Sequence, residues 1–464
     1  MATLDANIFR EYDIRGIVGR QLTDETVAVI GKAIGTYMRE HGAKRIAIGY
    51  DARESSPGFC KILTKSLHAI GCNTVQIGMV PTPVLYHTLF TKGVDGGVMI
   101  TGSHNPPDHN GFKISLGTAS LFGEQIQEIK EIGLKAETRP VGSVPLTALG
   151  TFEAIDVLDG YCRDLISRID LGPRKLKVIV DAGNGMGGVT ALPIYRALGV
   201  EVIGLYIDPD PTFPNHHPDP SITENLTDLI DTVRKENADL GIAFDGDADR
   251  ITVVDETGRI IWGDELMIVL SRSVLATHPG ATVIAEAKCS QVLFDDIENH
   301  GGVPLMWKAG HSIIKAKMKE TGAVLAGEMS GHIFFADRFY GFDDAAYAGA
   351  RVMEILSKTE KPLSAMLAVL PKTFSTPELR IDCPDEIKFD VVQKIAEHFA
   401  RDHKVITIDG ARVVFDHGWG IVRPSNTQAL LVLRFEADSQ DHLDEIRSEV
   451  ETSVAGVIAN LTIR

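Results

Sequence analysis

Short apolar runs rich in Val and Ile alternate with amphipathic stretches of helical length along most of the chain, the pattern of an α/β protein with largely parallel sheets. Buried strands are predicted at Arg45–Tyr50, Thr74–Met79, Gly97–Ile100, Lys177–Val180, Glu201–Tyr206, Gly241–Phe244, Thr282–Ala285 and Ala323–Ala326. Each ends near Gly, Asp or Pro, and in open α/β sheets ligands bind at the loops after the strands' carboxyl ends. After Pro371–Pro377 the order changes to a strand, a long helix over Asp385–Asp402, several strands and a last helix from about Asp441 to Ala459. The tail is therefore predicted to be α+β.

The helical pattern breaks at Thr138–Leu149, which carries Pro, Gly and Ser, and resumes at Ile155–Ile169, placing a first boundary near Gly150. A second falls near Gly258, where Ile251–Val254, the turn Glu256-Thr257-Gly258 and Arg259–Trp262 predict a hairpin leading into a new unit. The predicted domains are residues 1–150, 151–258, 259–371 and 372–464. That division suits the length, since 464 residues hold about three or four domains of roughly 100–200 residues each.

Composition narrows the function classes. Hydrophobic residues at 44% and charged residues at 23% describe a globular protein. The formal net charge of −17 argues against a surface built for nucleic acid or anionic lipid, so any anionic ligand must find a local basic pocket. Cys60, Cys72, Cys162, Cys289 and Cys383 form no CxxC pair, which excludes a zinc ribbon and points to a reducing compartment. The start MATLDANIFR lacks a signal pattern, and no segment approaches the ~20 apolar residues of a membrane span. A cytoplasmic protein with no membrane partner is expected.

Four loops carry candidate chemistry. In Asp245-Gly246-Asp247-Ala248-Asp249-Arg250, carboxylates at every second position follow a buried strand and can converge on one hard cation, Mg²⁺ being the natural choice. An EF-hand is the competing reading, but its turn requires Gly where Arg250 stands, and a strand rather than a helix precedes it. Thr101-Gly102-Ser103-His104-Asn105-Pro106 would present the Ser103 hydroxyl at a sheet edge, and Lys113 follows as a cation for a phosphoryl oxygen. Its bland reading is a helix N-cap. Gly327-Glu328-Met329-Ser330-Gly331-His332 offers an acceptor, a hydroxyl and an imidazole, a set suited to sugar hydroxyls, or else a buried Glu that only holds backbone amides. Arg423-Pro424-Ser425-Asn426-Thr427-Gln428 can surround a phosphate, with a polar hairpin loop as the alternative. Asn215-His216-His217-Pro218 is assigned no metal, because adjacent imidazoles rarely converge.

Taken in this order the four motifs resemble the α-D-phosphohexomutase superfamily over essentially the whole chain. Gly-Glu-Met-Ser-Gly, the segment from Phe9 to Gly16, and Gly341-Phe342-Asp343-Asp344 resemble its bacterial phosphomannomutase/phosphoglucomutase branch. The resemblance implies three related α/β domains with mixed, mostly parallel sheets and a C-terminal α+β domain, four domains around a central cleft. It implies that Ser103 carries phosphate, and that Asp245, Asp247 and Asp249 hold Mg²⁺ together with a phosphoserine oxygen. It further implies a monomer acting on phosphorylated hexoses through a hexose 1,6-bisphosphate that turns over in the cleft. Arg423, Ser425, Asn426 and Thr427 would grip the idle phosphate, and Glu328 and Ser330 the sugar. Tyr12, Arg15, Lys113, Arg250, Lys288, His311 and His332 match cleft positions, with Lys113, His311 and His332 as candidates for acid/base work. Three places depart from the family pattern: Ala248 stands for Gly, Pro424 for Ala, and Ala285–Ser290 differs around Lys288.

The preferred expectation is a mutase of mannose and glucose phosphates, with a phosphoglucosamine mutase as the runner-up. A metal-assisted serine phosphatase and a non-catalytic sugar-phosphate sensor are the readings from other classes. A mutase must keep water from the bisphosphate, so closure of the tail domain over the cleft is expected.

Overall fold

A computed structural model of the protein describes residues 4–138, 149–425 and 429–462. Most of the expected linker, residues 139–148, and the expected phosphate ligands Asn426 and Thr427 lie outside the described residues.

Among the described residues the chain forms four sheets. The first runs Ile14–Ile17, His109–Leu116, Gly96–Ile100, Arg45–Tyr50, Asn73–Met79 and Phe152–Ala154 across the sheet, with Ala119–Ser120 paired to His109–Leu116. The second runs Ile260–Ile261, Ile251–Asp255, Leu240–Phe244, Lys177–Asp181 and Glu201–Leu205. Val303–Trp307, Thr282–Glu286, Leu325–Gly327 and Ile333–Phe335 make the third. In the fourth, Leu430–Ala437 and Gly418–Pro424 lie at the centre of an antiparallel sheet packed by the helices Lys388–Phe399 and Gln440–Thr462.

The first three sheets place their loops by the same device. A strand of the parallel core runs into the loop, and the next strand returns antiparallel beside it. Gly96–Ile100 is joined in this way to His109–Leu116, Leu240–Phe244 to Ile251–Asp255, and Leu325–Gly327 to Ile333–Phe335. The fourth loop closes a hairpin between Gly418–Pro424 and Leu430–Ala437. Each candidate motif is thus held at both ends by a sheet, which fixes its backbone more firmly than a free βα loop.

Local differences from the sequence reading have backbone causes. Phe152–Ala154, beyond Gly150, pairs parallel with Asn73–Met79 and so joins the first sheet. Ile260–Ile261, beyond Gly258, pairs back onto Ile251–Asp255 and closes the second. The strand expected at Ala323–Ala326 is observed at Leu325–Gly327, because the Val324 carbonyl accepts from the amides of Ala336 and Asp337.

One apolar core runs from Val84 and Met99 through Val180 and Ile242 to Leu270 and Phe335, so the first three units share buried surface. The tail has its own core around Val391, Val413, Leu433 and Phe435, and meets the third unit at a small cluster of Ala287, Trp419 and Ile421. No helix among the described residues is long and apolar enough to cross a membrane.

Candidate active site

Ser103 sits in the turn after Gly96–Ile100 with φ of +49°, a left-handed conformation that costs a residue with a side chain on the order of 1–3 kcal/mol. Buried contacts hold it there. Its amide donates to Thr101 Oγ1 at 2.8 Å, and its carbonyl accepts from Arg53 at 2.8 Å. The Arg53 guanidinium also donates to the carbonyls of Asn105, Pro106 and His109, at 2.6, 2.5 and 2.9 Å, and is paired with Asp51 at 3.3 Å. A Cβ on Gly102 would lie 2.5 Å from that guanidinium, so glycine is required where the loop wraps it. The sequence reading missed Asp51 and Arg53. The signal was present, since Asp51 follows the buried strand Arg45–Tyr50 as Asp245 follows Leu240–Phe244.

Asp245, Asp247 and Asp249 are fully buried, with ligand oxygens within 4.8 Å of one another. The Ser103 hydroxyl donates to Asp245 Oδ2 at 2.8 Å, leaving His104 Nδ1, 3.1 Å away, to donate to Oγ. Lys113 Nζ donates to Asp247 Oδ2 at 2.7 Å and to Asp249 Oδ2, and Thr82 Oγ1 donates to Asp247 Oδ2 at 2.5 Å. Burial and the two neighbouring carboxylates push the Asp245 carboxyl well up. Burial also pushes Asp247 and Asp249 up, but Lys113, together with Thr82 at Asp247 and with His332 and Arg250 at Asp249, holds both below the usual range. In return the two carboxylates raise the Lys113 ammonium well above its ordinary value despite its burial.

Oδ1 of Asp247 and Oδ1 of Asp249 are buried without a hydrogen-bond partner. Unpaired buried carboxylate oxygens are costly, and an all-oxygen set beside a serine hydroxyl fits a hard divalent cation. Glu256, which with the three aspartates would occupy a ligand position of an EF-hand, accepts from Ser364 instead. Gly246 allows the loops to touch: a Cβ there would lie 2.3 Å from the Ser103 carbonyl oxygen. Ala248, the departure from the family pattern, has φ of +60°, which explains why glycine suits that position.

Arg250 carries the site into the third unit. Its Nε donates to His332 Nε2 at 2.9 Å, and His332 Nδ1 faces Asp343 Oδ2 at 3.1 Å. An arginine only donates, so His332 accepts from Arg250 at Nε2 and holds its proton on Nδ1. Asp343 also accepts from Lys315 at 2.9 Å. Lys315 in turn contacts His311 Nδ1 at 3.3 Å, which leaves the proton of neutral His311 on Nε2. That nitrogen is buried without a partner. Burial, Lys315 and Lys113 hold the His311 imidazole well below its ordinary proton affinity, so it is neutral. Tyr12 packs edge-on against His311 at 5.7 Å, and Arg15 bonds Asp13 at 2.6 Å and Asn105 at 3.0 Å.

Glu328 accepts the Gly310 amide at 2.6 Å through Oε1, so half of its carboxylate holds the loop before His311. Ser330 lies in the same turn, half-buried. Glu286 accepts the Met329 amide at 3.0 Å while its Oε2 is orphaned. Burial pushes its carboxyl up to about 7, with Lys288 opposing and Glu328 adding to the rise. Lys288 bridges to the tail by donating to Glu378 at 2.7 Å. Arg423 lies 3.2 Å from Asp409, which accepts the Ala309 amide at 3.0 Å, and the Ser425 carbonyl accepts from Lys388 at 2.6 Å. The structure therefore joins the loops at Ser103, at residues 245–250 and at residues 328–332 by direct contacts, and ties Arg423 through Asp409 to the segment that precedes His311. His216 instead pairs with Asp181 at 3.1 Å as a structural contact.

Family models for phosphoglucomutase/phosphomannomutase match the chain in succession: alpha/beta/alpha domain I at residues 6–139, domain II at 159–258, domain III at 262–374 and the C-terminal domain at 378–453. A phosphomannomutase/phosphoglucomutase of Pseudomonas aeruginosa is 45% identical over 99% of this chain and 98% of its own length. The chain belongs to the phosphoglucomutase/phosphomannomutase family. A phosphoglucomutase of Neisseria meningitidis is likewise 45% identical, over 98% of each chain. The crystal structure of a phosphoglucomutase/phosphomannomutase family protein from Burkholderia thailandensis matches this mutase with a TM-score of 0.91 at 41% identity, covering 98% of both chains.

Proposed function

We propose that this mutase interconverts the 1-phosphates and 6-phosphates of mannose and glucose through a phosphoserine at Ser103 and a hexose 1,6-bisphosphate that reorients in the cleft. The observation that carries the reading is the Ser103 hydroxyl, 2.8 Å from Asp245 and beside a buried lysine and two orphaned carboxylate oxygens. The names of the full-length relatives support the choice of sugars. In this reading Asp245, Asp247, Asp249 and a phosphoserine oxygen hold Mg²⁺, which neutralises charge on the transferring phosphoryl group. The protein acts in the cytoplasm as a monomer.

The chain's own residues do the rest. Arg423, Ser425, Asn426, Thr427 and Lys288 hold the idle phosphate, while Glu328 and Ser330 hold sugar hydroxyls in either orientation. Tyr12 and Arg15 line the entrance beside His311 and the serine loop. As the bond from phosphorus to Ser103 Oγ breaks and that to the sugar oxygen forms, Arg250 turns from His332 to the phosphoryl oxygens. His332 Nε2, freed and oriented by Asp343, takes the sugar hydroxyl proton. His311 donates a hydrogen bond from its unpaired Nε2–H to a substrate oxygen without giving up the proton, and Lys113 offsets the charge developing on Ser103 Oγ. The tail, with its separate core, closes over the cleft to exclude water.

Phosphorus NMR tests the reading. The enzyme with Mg²⁺ and a trace of hexose 1,6-bisphosphate is offered glucose, mannose and glucosamine 1-phosphates separately. Conversion of the first two to 6-phosphates without inorganic phosphate is expected. Conversion of glucosamine phosphate alone, or release of inorganic phosphate, would overturn it in favour of the glucosamine enzyme or a phosphatase.

A further inference from the structure

His417, Asp438 and His442 meet at the end of the tail domain farthest from its phosphate loop. His417 lies in the turn before the strand Gly418–Pro424, Asp438 directly after Leu430–Ala437, and His442 in the first turn of the helix Gln440–Thr462. The carboxylate of Asp438 stands between the two imidazoles, with Oδ2 3.0 Å from His417 Nδ1 and Oδ1 2.5 Å from His442 Nδ1. The rings stack with centroids 4.0 Å apart and planes 10° apart. One ligand atom from each residue falls within 4.8 Å of the others.

The backbone under this trio is fixed without any metal. Asp438 donates its amide to the His417 carbonyl at 3.0 Å, and Gly418 pairs with Ala437 across the hairpin. A Cβ on Gly418 would lie 2.2 Å from the Glu436 carbonyl, so glycine permits this close turn. Ser439 caps the helix by accepting the His442 amide at 3.2 Å. Little ordering remains to be done when a ligand binds, which favours affinity.

We propose that His417, Asp438 and His442 form a second metal site, selective for a borderline transition-metal dication such as Zn²⁺. Two imidazole nitrogens and one carboxylate suit zinc and disfavour Mg²⁺, which demands oxygen. A tetrahedral zinc holds neighbouring ligand atoms about 3.3 Å apart, against a spacing within 4.8 Å in the trio, and to reach it the stacked rings must turn out of parallel so that both Nδ1 atoms aim at one point. Each imidazole then ligates through Nδ1 and keeps its proton on Nε2, and the fourth position faces solvent. From His417 to Arg423 the strand spans about 20 Å, so the site is separate from the catalytic loops. It adjoins the entry into the tail, because Phe374 pairs with Ala437. Metal binding there ties the start of the strand Gly418–Pro424 to the end of Leu430–Ala437 and to the first turn of the last helix.

The test is a Zn²⁺ titration of the full protein by calorimetry in excess Mg²⁺, which saturates the aspartate loop. One saturable micromolar site is expected, weakened about tenfold or more in H417N and again in H442N, and absent from the double variant. Zn²⁺ should raise the melting temperature of the parent but not of the double variant, while Mg²⁺-supported turnover stays the same in both. Absence of saturable binding, or undiminished binding in the double variant, overturns the proposal.

Discussion

Lys113 Nζ lies 2.7 Å from Asp247 Oδ2, with both side chains buried, so a lysine of the first domain neutralises the metal loop of the second. A truncated Lys113 leaves several buried carboxylates to a metal ion alone. Lys113→Met is expected to lower turnover by about 100-fold or more and to make the melting temperature more dependent on Mg²⁺ than in the parent. Thermal melts with and without EDTA check this; equal Mg²⁺ dependence in parent and variant counts against it.

Ser103→Ala removes the group that would carry phosphate but leaves Lys288 and Arg423 intact. Turnover should fall by orders of magnitude, while affinity for hexose phosphate stays within about tenfold, or ~1.4 kcal/mol. Coupled assays and calorimetry measure the two; normal turnover refutes the nucleophile assignment.

Gly246 abuts Ser103, and an added Cβ would sit 2.3 Å from its carbonyl oxygen. Gly246→Ala must part the serine and metal loops, at a cost of about 1–3 kcal/mol. A lowered melting temperature together with a loss of turnover that extra Mg²⁺ does not restore is the expected outcome. Parent-like kinetics would show that the two loops need not touch.

Asp343 acts through His332. Asp343→Asn removes the carboxylate that fixes the imidazole tautomer, so kcat is expected to drop by about 10–100-fold with little change in KM. Lys315 also loses its counter-charge. A change confined to KM would mean that Asp343 serves substrate binding instead.

Burial pushes the neighbouring Asp344 carboxyl up to about 7, although it accepts the Tyr347 amide and the Tyr161 hydroxyl. The folded protein thus holds this proton where the unfolded chain releases it at a pKa of about 3.9. Its contribution to stability is complete below about pH 4 and is lost as pH rises through about 7, a swing on the order of 2–4 kcal/mol. Asp344→Asn should flatten the fall in melting temperature across that window. Identical pH slopes in parent and variant would sink the assignment.

Much of the site was legible because it is written in short segments. A buried strand ending in Asp245, Asp247 and Asp249, or in Thr101-Gly102-Ser103, is a local pattern of a few residues, and its chemistry follows from residue type and spacing. Asp51 follows its strand as Asp245 does, but a single Asp and Arg there do not name a role, which emerges only from Arg53 gathering the carbonyls of Ser103, Asn105, Pro106 and His109. The roles of His311 and His332 were left undivided for a similar reason. A tautomer is set by the partner of the other nitrogen, and nothing in the sequence says that Lys315, one turn along the same helix, reaches back to His311 or that Asp343 reaches His332.

The sequence by itself determined the α/β units, the α+β tail, the order of the four loops and the residue types each brings. These depend on periodicity and on short-range backbone rules that act within one segment. Only the tertiary structure decided that Lys113 meets Asp247 and Asp249, that Arg250 meets His332, and that Glu328 spends one oxygen on Gly310. Such pairings arise where separate sheets bring distant loops together in buried space, where an unmatched charge is expensive and each polar atom must find its partner.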